Sequence, residues 1–194
     1  MSAEVYSVLD KSKDSYSLWE TLWSKNTAPW HQKEVCPFLL KNSSNLELRL
    51  SKEGLHSFLW KSIGIKMSLD QRIKIYVADI FSVEPEEVGK FDVIWARGDY
   101  TTVKIAEREK YSKLMKQLCK EKFLYFLCTL QFEVPVGRHD TPPRPISHEE
   151  TRKLYSDWCK VDLIEEEDGL KFYPASKSTG TDPVYESYFI LTPK

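Results

Sequence analysis

Two short apolar runs end on residues able to do chemistry. Ile73-Lys-Ile-Tyr-Val-Ala78 is followed by Asp79-Ile80-Phe81, and Phe91-Asp-Val-Ile-Trp-Ala96 by Arg97-Gly98. A carboxylate at the first end could accept from an exocyclic amine, and a guanidinium at the second could bind a carboxylate. Each residue also has a plain structural reading. An aspartate after a strand caps a turn or helix more often than it meets a ligand. A lone arginine most often joins an ion pair. Trp19, Trp23 and Trp30 form a third group. They suit core packing, or a cage whose aromatic faces attract a cation.

Other chemistries find little support. The 7 glycines include no G-x-G pair, so a nucleotide loop of the usual type is absent. Cys36, Cys119, Cys128 and Cys159 show no C-x-x-C spacing and read as reduced thiols. The 4 histidines are scattered, so no zinc site is expected. No G-x-S-x-G elbow accompanies the serines. Glu165-Glu-Glu-Asp168 reads as a solvated turn between strands, and Lys110, Lys113, Lys116 and Lys120 as the wet face of a helix.

The elements that must position these residues can be read from periodicity. Ser17-Leu-Trp-Glu20 has the form of a capping box, with Trp19, Leu22 and Trp23 on one helical face. A short helix is expected over Val35 to Leu40 and a strand over Leu46 to Leu50. Ser51 should cap a helix running to about Lys61, with Leu55, Phe58 and Leu59 on its apolar face. Strands follow at Ile73 to Val77 and Phe91 to Trp95. Glu107 to Lys122 is the clearest helix, because Tyr111, Leu114, Met115, Leu118 and Cys119 share a face. Phe123 to Leu130 is a continuous apolar strand, the pattern of a strand covered on both sides. Ser147-His-Glu-Glu150 opens a helix through Leu154 and Trp158, and strands at Val161 to Ile164 and Tyr185 to Leu191 close the chain.

Alternation of helices and strands predicts an α/β open sheet, whose ligands bind beyond the carboxyl ends of its strands. The division expected is a loose tail over 1–16 and one domain over 17–194. A formal net charge of -1 gives no field for nucleic acid or an anionic membrane. No signal-peptide core or membrane-length apolar run is present, which points to a cytoplasmic protein.

These pieces, in this order, resemble a known family. Trp19-Glu-Thr-Leu-Trp23 followed by Pro29-Trp-His-Gln32 resembles the amino-terminal signature of thiopurine S-methyltransferases, W-x-x-x-W with an aromatic-His-Gln shortly after. Gly89-Lys-Phe-Asp-Val-Ile-Trp-Ala-Arg-Gly98 is similar to the family's G-K-F-D-x-I-W-D-R-G. Phe123-Leu-Tyr-Phe-Leu-Cys-Thr-Leu130 and Tyr188-Phe-Ile-Leu-Thr192 fit the same scheme. The resemblance implies a Rossmann-like methyltransferase sheet with helices on both faces. It implies methyl transfer from S-adenosylmethionine to an aromatic or heterocyclic thiol, by a monomer acting on a small molecule. Carried over, Trp19 and Trp23 border the cofactor, and Trp30 sits between cofactor and substrate. Asp79 and Ile80 face the adenine. Arg97 lies near the cofactor's polar end or the substrate.

Three departures stand against that pattern. The family has a strand and a P-L-C-G-K loop after its aromatic-His-Gln helix, bringing backbone N–H groups to the cofactor. Here the chain passes from Leu40 to Leu46 without them. Arg49 replaces the acid expected on the ribose hydroxyls, and an arginine cannot accept those hydrogen bonds. Ala96 stands where the family has aspartate. The missing strand would be central, so its neighbours should show open edges unless Leu46 to Leu50 takes its place. A shortened isoform would explain the gap, and cofactor binding that is weakened or lost would make the chain a non-catalytic binding protein instead.

Overall fold

The computed structural model describes residues 38, 41, 55–59, 64–67, 73–135, 142–171 and 181–194. The tryptophan cluster Trp19, Trp23 and Trp30, the tail over 1–16, Arg49 and the strand expected at Leu46 to Leu50 lie outside the described residues.

Seven strands and three helices are described. A first sheet holds β1 (Leu55–Leu59), β2 (Gly64–Met67) and β3 (Ile73–Val77) in the order β1-β3-β2. β1 runs parallel to β3 with Leu55 opposite Ile73, and β2 runs antiparallel to it. The expected helix through Leu55, Phe58 and Leu59 is therefore a strand. Five residues are too few for a helical period to outweigh hydrogen-bonded pairing with a neighbour.

The larger sheet holds β4 (Phe91–Ala96), β5 (Cys119–Phe132), β6 (Cys159–Asp168) and β7 (Val184–Pro193) in the order β4-β5-β7-β6. Only β4 and β5 are parallel neighbours in it. Among the described residues β4 pairs with β5 alone, and its side chains up to Trp95 are only half-buried.

Helix α1 (Pro85–Val88) precedes β4, α2 (Arg108–Leu118) links β4 to β5, and α3 (His148–Tyr155) precedes β6. α2 ends earlier than expected, because Cys119 is already extended and pairs with Phe91. Lys120 therefore lies in β5, where it meets Asp92 at 2.7 Å, rather than on a lysine face. The acids Glu165 to Asp168 form part of β6 rather than a turn. Among the described residues they sit on a sheet edge, alternating half-buried and exposed, where charge discourages pairing with another chain.

Strand alternation divides the core in two. Tyr125, Leu127, Phe189 and Leu191 face α2 and α3, meeting Tyr111, Leu114, Met115, Leu118 and Tyr155. Phe126, Cys128 and Tyr188 face the other way, against Phe38, which is in helical conformation. Helical residues thus cover both faces. The Phe38 ring stacks on Tyr188 with centroids 4.6 Å apart and meets Phe126 edge-on at 5.9 Å.

α3 starts where its sequence says it should. The Ser147 hydroxyl accepts from Glu150 N at 3.0 Å, satisfying one orphan donor of the first turn. Ser147→Ala is expected to cost about 1 kcal/mol, read as a lower urea midpoint at unchanged slope; an unchanged midpoint would mean that the cap is idle.

Candidate functional site

Glycines bracket β4. Gly89 and Gly98 have φ of +86° and +83°, in the left-handed region that other residues rarely adopt. No atom lies within 4 Å of a Cβ built on either, so the demand is conformational rather than steric. The glycine spacing of the motif thus marks the turns entering and leaving this strand.

The two strand ends singled out in the sequence fare differently. Asp79 follows β3, and its Oδ1 accepts from Phe81 N at 2.9 Å, capping a 3-10 turn over Ile80–Ser82. The residue is exposed, so the structural reading of this aspartate holds and a ligand can also approach it. Ile80 and Phe81 pack against the core of the larger sheet, and the Lys110 ammonium lies 4.6 Å from the Phe81 ring centroid. This contact brings the end of β3 against α2.

Arg97 follows β4 and is largely buried, its side chain 11% exposed. Its Nη2 meets Glu186 Oε1 at 2.8 Å, and the Glu186 side chain is fully buried. The Cys128 thiol donates to the same oxygen at 3.1 Å, and the Tyr188 hydroxyl donates to Oε2 at 2.8 Å. Arg97 is therefore neither a surface arginine nor an isolated anion receptor. Glu186 was missed in the sequence because nothing local marks it: it is a polar residue near the start of a mostly apolar strand, far from Arg97 along the chain.

The loop after Gly98 is anchored from beneath. Asp99 Oδ1 accepts from Tyr100 N at 2.7 Å, and Oδ2 accepts from the Tyr111 hydroxyl at 2.6 Å. Tyr100 stacks on Tyr111 with centroids 5.4 Å apart, and Tyr155 meets both Tyr100 and Tyr125 edge-on. Arg144 joins this loop to the next one, donating from N to Thr101 O at 2.8 Å and from Nη1 to Thr102 O at 2.6 Å.

Burial holds the Asp99 carboxyl above its ordinary range, against the opposing hydrogen bonds from Tyr111 and Tyr100. A carboxyl whose pKa is raised by folding favours the folded state while it is protonated. That contribution is complete below the unfolded value of about 4 and is lost as pH rises through the folded one. Asparagine stays neutral and can satisfy both partners. The melting temperature of Asp99→Asn minus that of the wild type is expected to grow as pH rises from about 4 to about 7; a constant difference would mean an ordinary carboxyl.

A second polar cluster was also invisible in the sequence, because its members come from four elements. Ser187 Oγ donates to Glu166 Oε2 at 2.8 Å, and Gln131 Nε2 donates to both, at 3.0 and 3.1 Å. His148 Nε2 lies 3.0 Å from Ser187 Oγ and 3.0 Å from Glu166 Oε2, and also contacts the Gln131 amide. A nucleophile relay needs serine and carboxylate on different ring nitrogens. Here both meet the same one and Ser187 is fully buried, so the cluster ties the start of α3 to the sheet.

Two of the described thiols are held protonated. Burial pushes Cys119 and Cys159 up to about 12, so neither forms a thiolate at neutral pH. Among the described residues no group of three or more His, Cys, Asp or Glu side chains could hold a metal ion.

Comparison with known proteins gives a consistent result. A family described as Thiopurine S-methyltransferase matches residues 56–194. Thiopurine S-methyltransferase of Oryctolagus cuniculus is 32% identical over 122 residues, 63% of this chain and 48% of the relative. The chain thus spans about half the length of the curated mammalian relatives it matches. Probable thiopurine S-methyltransferase of Danio rerio is 29% identical over 239 residues, covering 100% of this chain and 99% of the relative. An alignment of 239 positions against 194 residues leaves 45 positions as gaps in this chain.

Among solved structures, Burkholderia thailandensis 1,6-didemethyltoxoflavin-N1-methyltransferase, with bound S-adenosylhomocysteine, has a TM-score of 0.57. It is 9% identical, over 100% of this chain and 92% of that one. Haemonchus contortus phospholethanolamine N-methyltransferase 2, with S-adenosylhomocysteine, has a TM-score of 0.54 at 11% identity, over 98% and 60%. At these identities the likeness is one of fold: a Rossmann-like methyltransferase sheet.

Proposed function

Because the chain belongs to the thiopurine S-methyltransferase family, we propose that it transfers a methyl group from S-adenosylmethionine to the sulfur of an aromatic or heterocyclic thiol. The observation that carries this reading is the pair of strand ends, Asp79-Ile80 after β3 and Arg97 after β4, at the carboxyl ends where an open sheet of this kind binds ligands.

The residues present fit one end of the cofactor. An exposed carboxylate beside half-buried Ile80 and Phe81 offers an acceptor for an exocyclic amine and an apolar wall for the adenine plane. Trp19, Trp23 and Trp30 are proposed to border the sulfonium and the substrate, their π faces attracting its charge. Bound there, S-adenosylmethionine supplies an electrophilic methyl group, and a thiolate needs little beyond correct approach to take it. Arg97, held by Glu186, is proposed to orient the cofactor's polar end or the substrate. The fit stops at the ribose, where Arg49 replaces an acid, and at the missing glycine loop.

Those two departures favour a second reading: a methyltransferase-like binding protein that has lost its cofactor. Calorimetric titration with S-adenosylhomocysteine separates the two. Micromolar binding, about 8 kcal/mol, followed by methylation of an arylthiol, supports the enzyme. No heat from a sample that melts cooperatively supports the binding protein.

We further propose a cytoplasmic monomer. No helix among the described residues is long and apolar enough to cross a membrane, and the described cysteines are all free thiols.

A further inference from the structure

We infer that Glu186 is a positioning residue for Arg97, so that β7 shares in deciding where the guanidinium points. β4 and β7 are not neighbours, because β5 lies between them. With strands about 4.8 Å apart, Arg97 must reach over β5 to meet Glu186. The thiol of Cys128, on β5, marks the crossing: it donates to the oxygen that Arg97 meets.

Glu186 has reason to hold that arginine. A fully buried carboxylate is costly without a cation and hydrogen-bond donors. Its partners come from three strands: the Arg97 cation beyond β4, the donating thiol of Cys128 on β5 and the donating hydroxyl of Tyr188 on β7 itself. The Tyr188 ring is clamped in turn by Phe38, so the seat of the carboxylate is rigid. A guanidinium is planar, with its donors in a fixed fork. Holding Nη2 beside Glu186 therefore restricts where the other N–H groups of Arg97 can point. The same pairing balances the charge of Arg97, which Ala96 leaves without an adjacent carboxylate in sequence. The effect on ligand binding rests on the reading that Arg97 lines the methyl-transfer site; the orientation itself does not.

The test uses the full chain labelled with 15N-arginine. The Arg97 Nε–H signal is identified by its disappearance in Arg97→Lys. In the wild type it is expected to be sharp and to exchange slowly with water. In Glu186→Gln, which keeps the shape and removes the charge, it is expected to broaden or vanish while melting stays cooperative. S-adenosylhomocysteine affinity should then fall about tenfold, the size of one weakened charge-assisted hydrogen bond. An Arg97 signal unchanged in Glu186→Gln overturns the inference. If Glu186→Gln does not fold, Glu186→Asp keeps the charge and draws it back by one methylene. A shifted Arg97 signal in that variant supports the inference, and an unshifted one overturns it. A wild type that binds no S-adenosylhomocysteine defeats the methyltransferase reading, while the Arg97 signal still decides the positioning.

Discussion

Replacing Arg97 by methionine is expected to remove about 3–5 kcal/mol of stability, because it strands a buried charge. Among the described residues Glu186 would keep only a thiol and a phenol hydroxyl as donors, in a place that water does not reach. Against a total of about 5–15 kcal/mol for a domain of ordinary stability, such a loss moves the protein close to unfolding. Pairing the change with Glu186→Gln should recover much of the loss, since a neutral amide is far cheaper to bury than a lone carboxylate. Urea denaturation of wild type, both single variants and the double variant closes the cycle. A cost for Arg97→Met below about 1 kcal/mol would mean that the pair behaves like a surface ion pair.

The second large effect is expected at Phe126, on the face of the sheet away from α2 and α3. Its side chain is fully buried, and its ring meets Phe38 at 5.9 Å and Trp95 at 6.3 Å, both edge-on. Phe126→Ala removes the centre of that cluster and should cost about 3–5 kcal/mol. Phe126→Leu keeps most of the volume and should cost much less. Thermal melts of the two variants distinguish volume from chemistry. Equal, small losses in both would mean that the Phe38 layer does not close over this face.

How much of this was legible beforehand depended on whether the cause was local. Ser147 announced α3 because a cap acts within one turn. Tyr111, Leu114, Met115 and Leu118 announced α2 because their spacing holds over two turns. Gly89 and Gly98 marked the ends of β4 because only glycine suits those angles. Arg97 was found as the residue after a strand, and the motif around it pointed to the family. Leu55, Phe58 and Leu59 misled because three apolar residues at helical spacing also fit a short strand, and the partner that decides is β3. Glu165 to Asp168 misled because acids are uncommon in strands, and the exception holds at an edge. Glu186, Asp99 with Tyr111, and the His148 cluster could not be read at all. Each gains its meaning from a partner on another element, and no spacing rule links Arg97 to Glu186 or Gln131 to Glu166.

The sandwiching of β5 bears on how the molecule opens. That strand has β4 on one side, β7 on the other and a buried layer on each face. Its central amides, from Tyr125 to Leu127, can trade their hydrogens for deuterium only when the whole sheet comes apart. β6 pairs on one side only among the described residues, so its outward amides can exchange through small local fluctuations. Exchange at β5 should therefore report the global unfolding free energy directly, with the outward amides of β6 running orders of magnitude faster in the same sample.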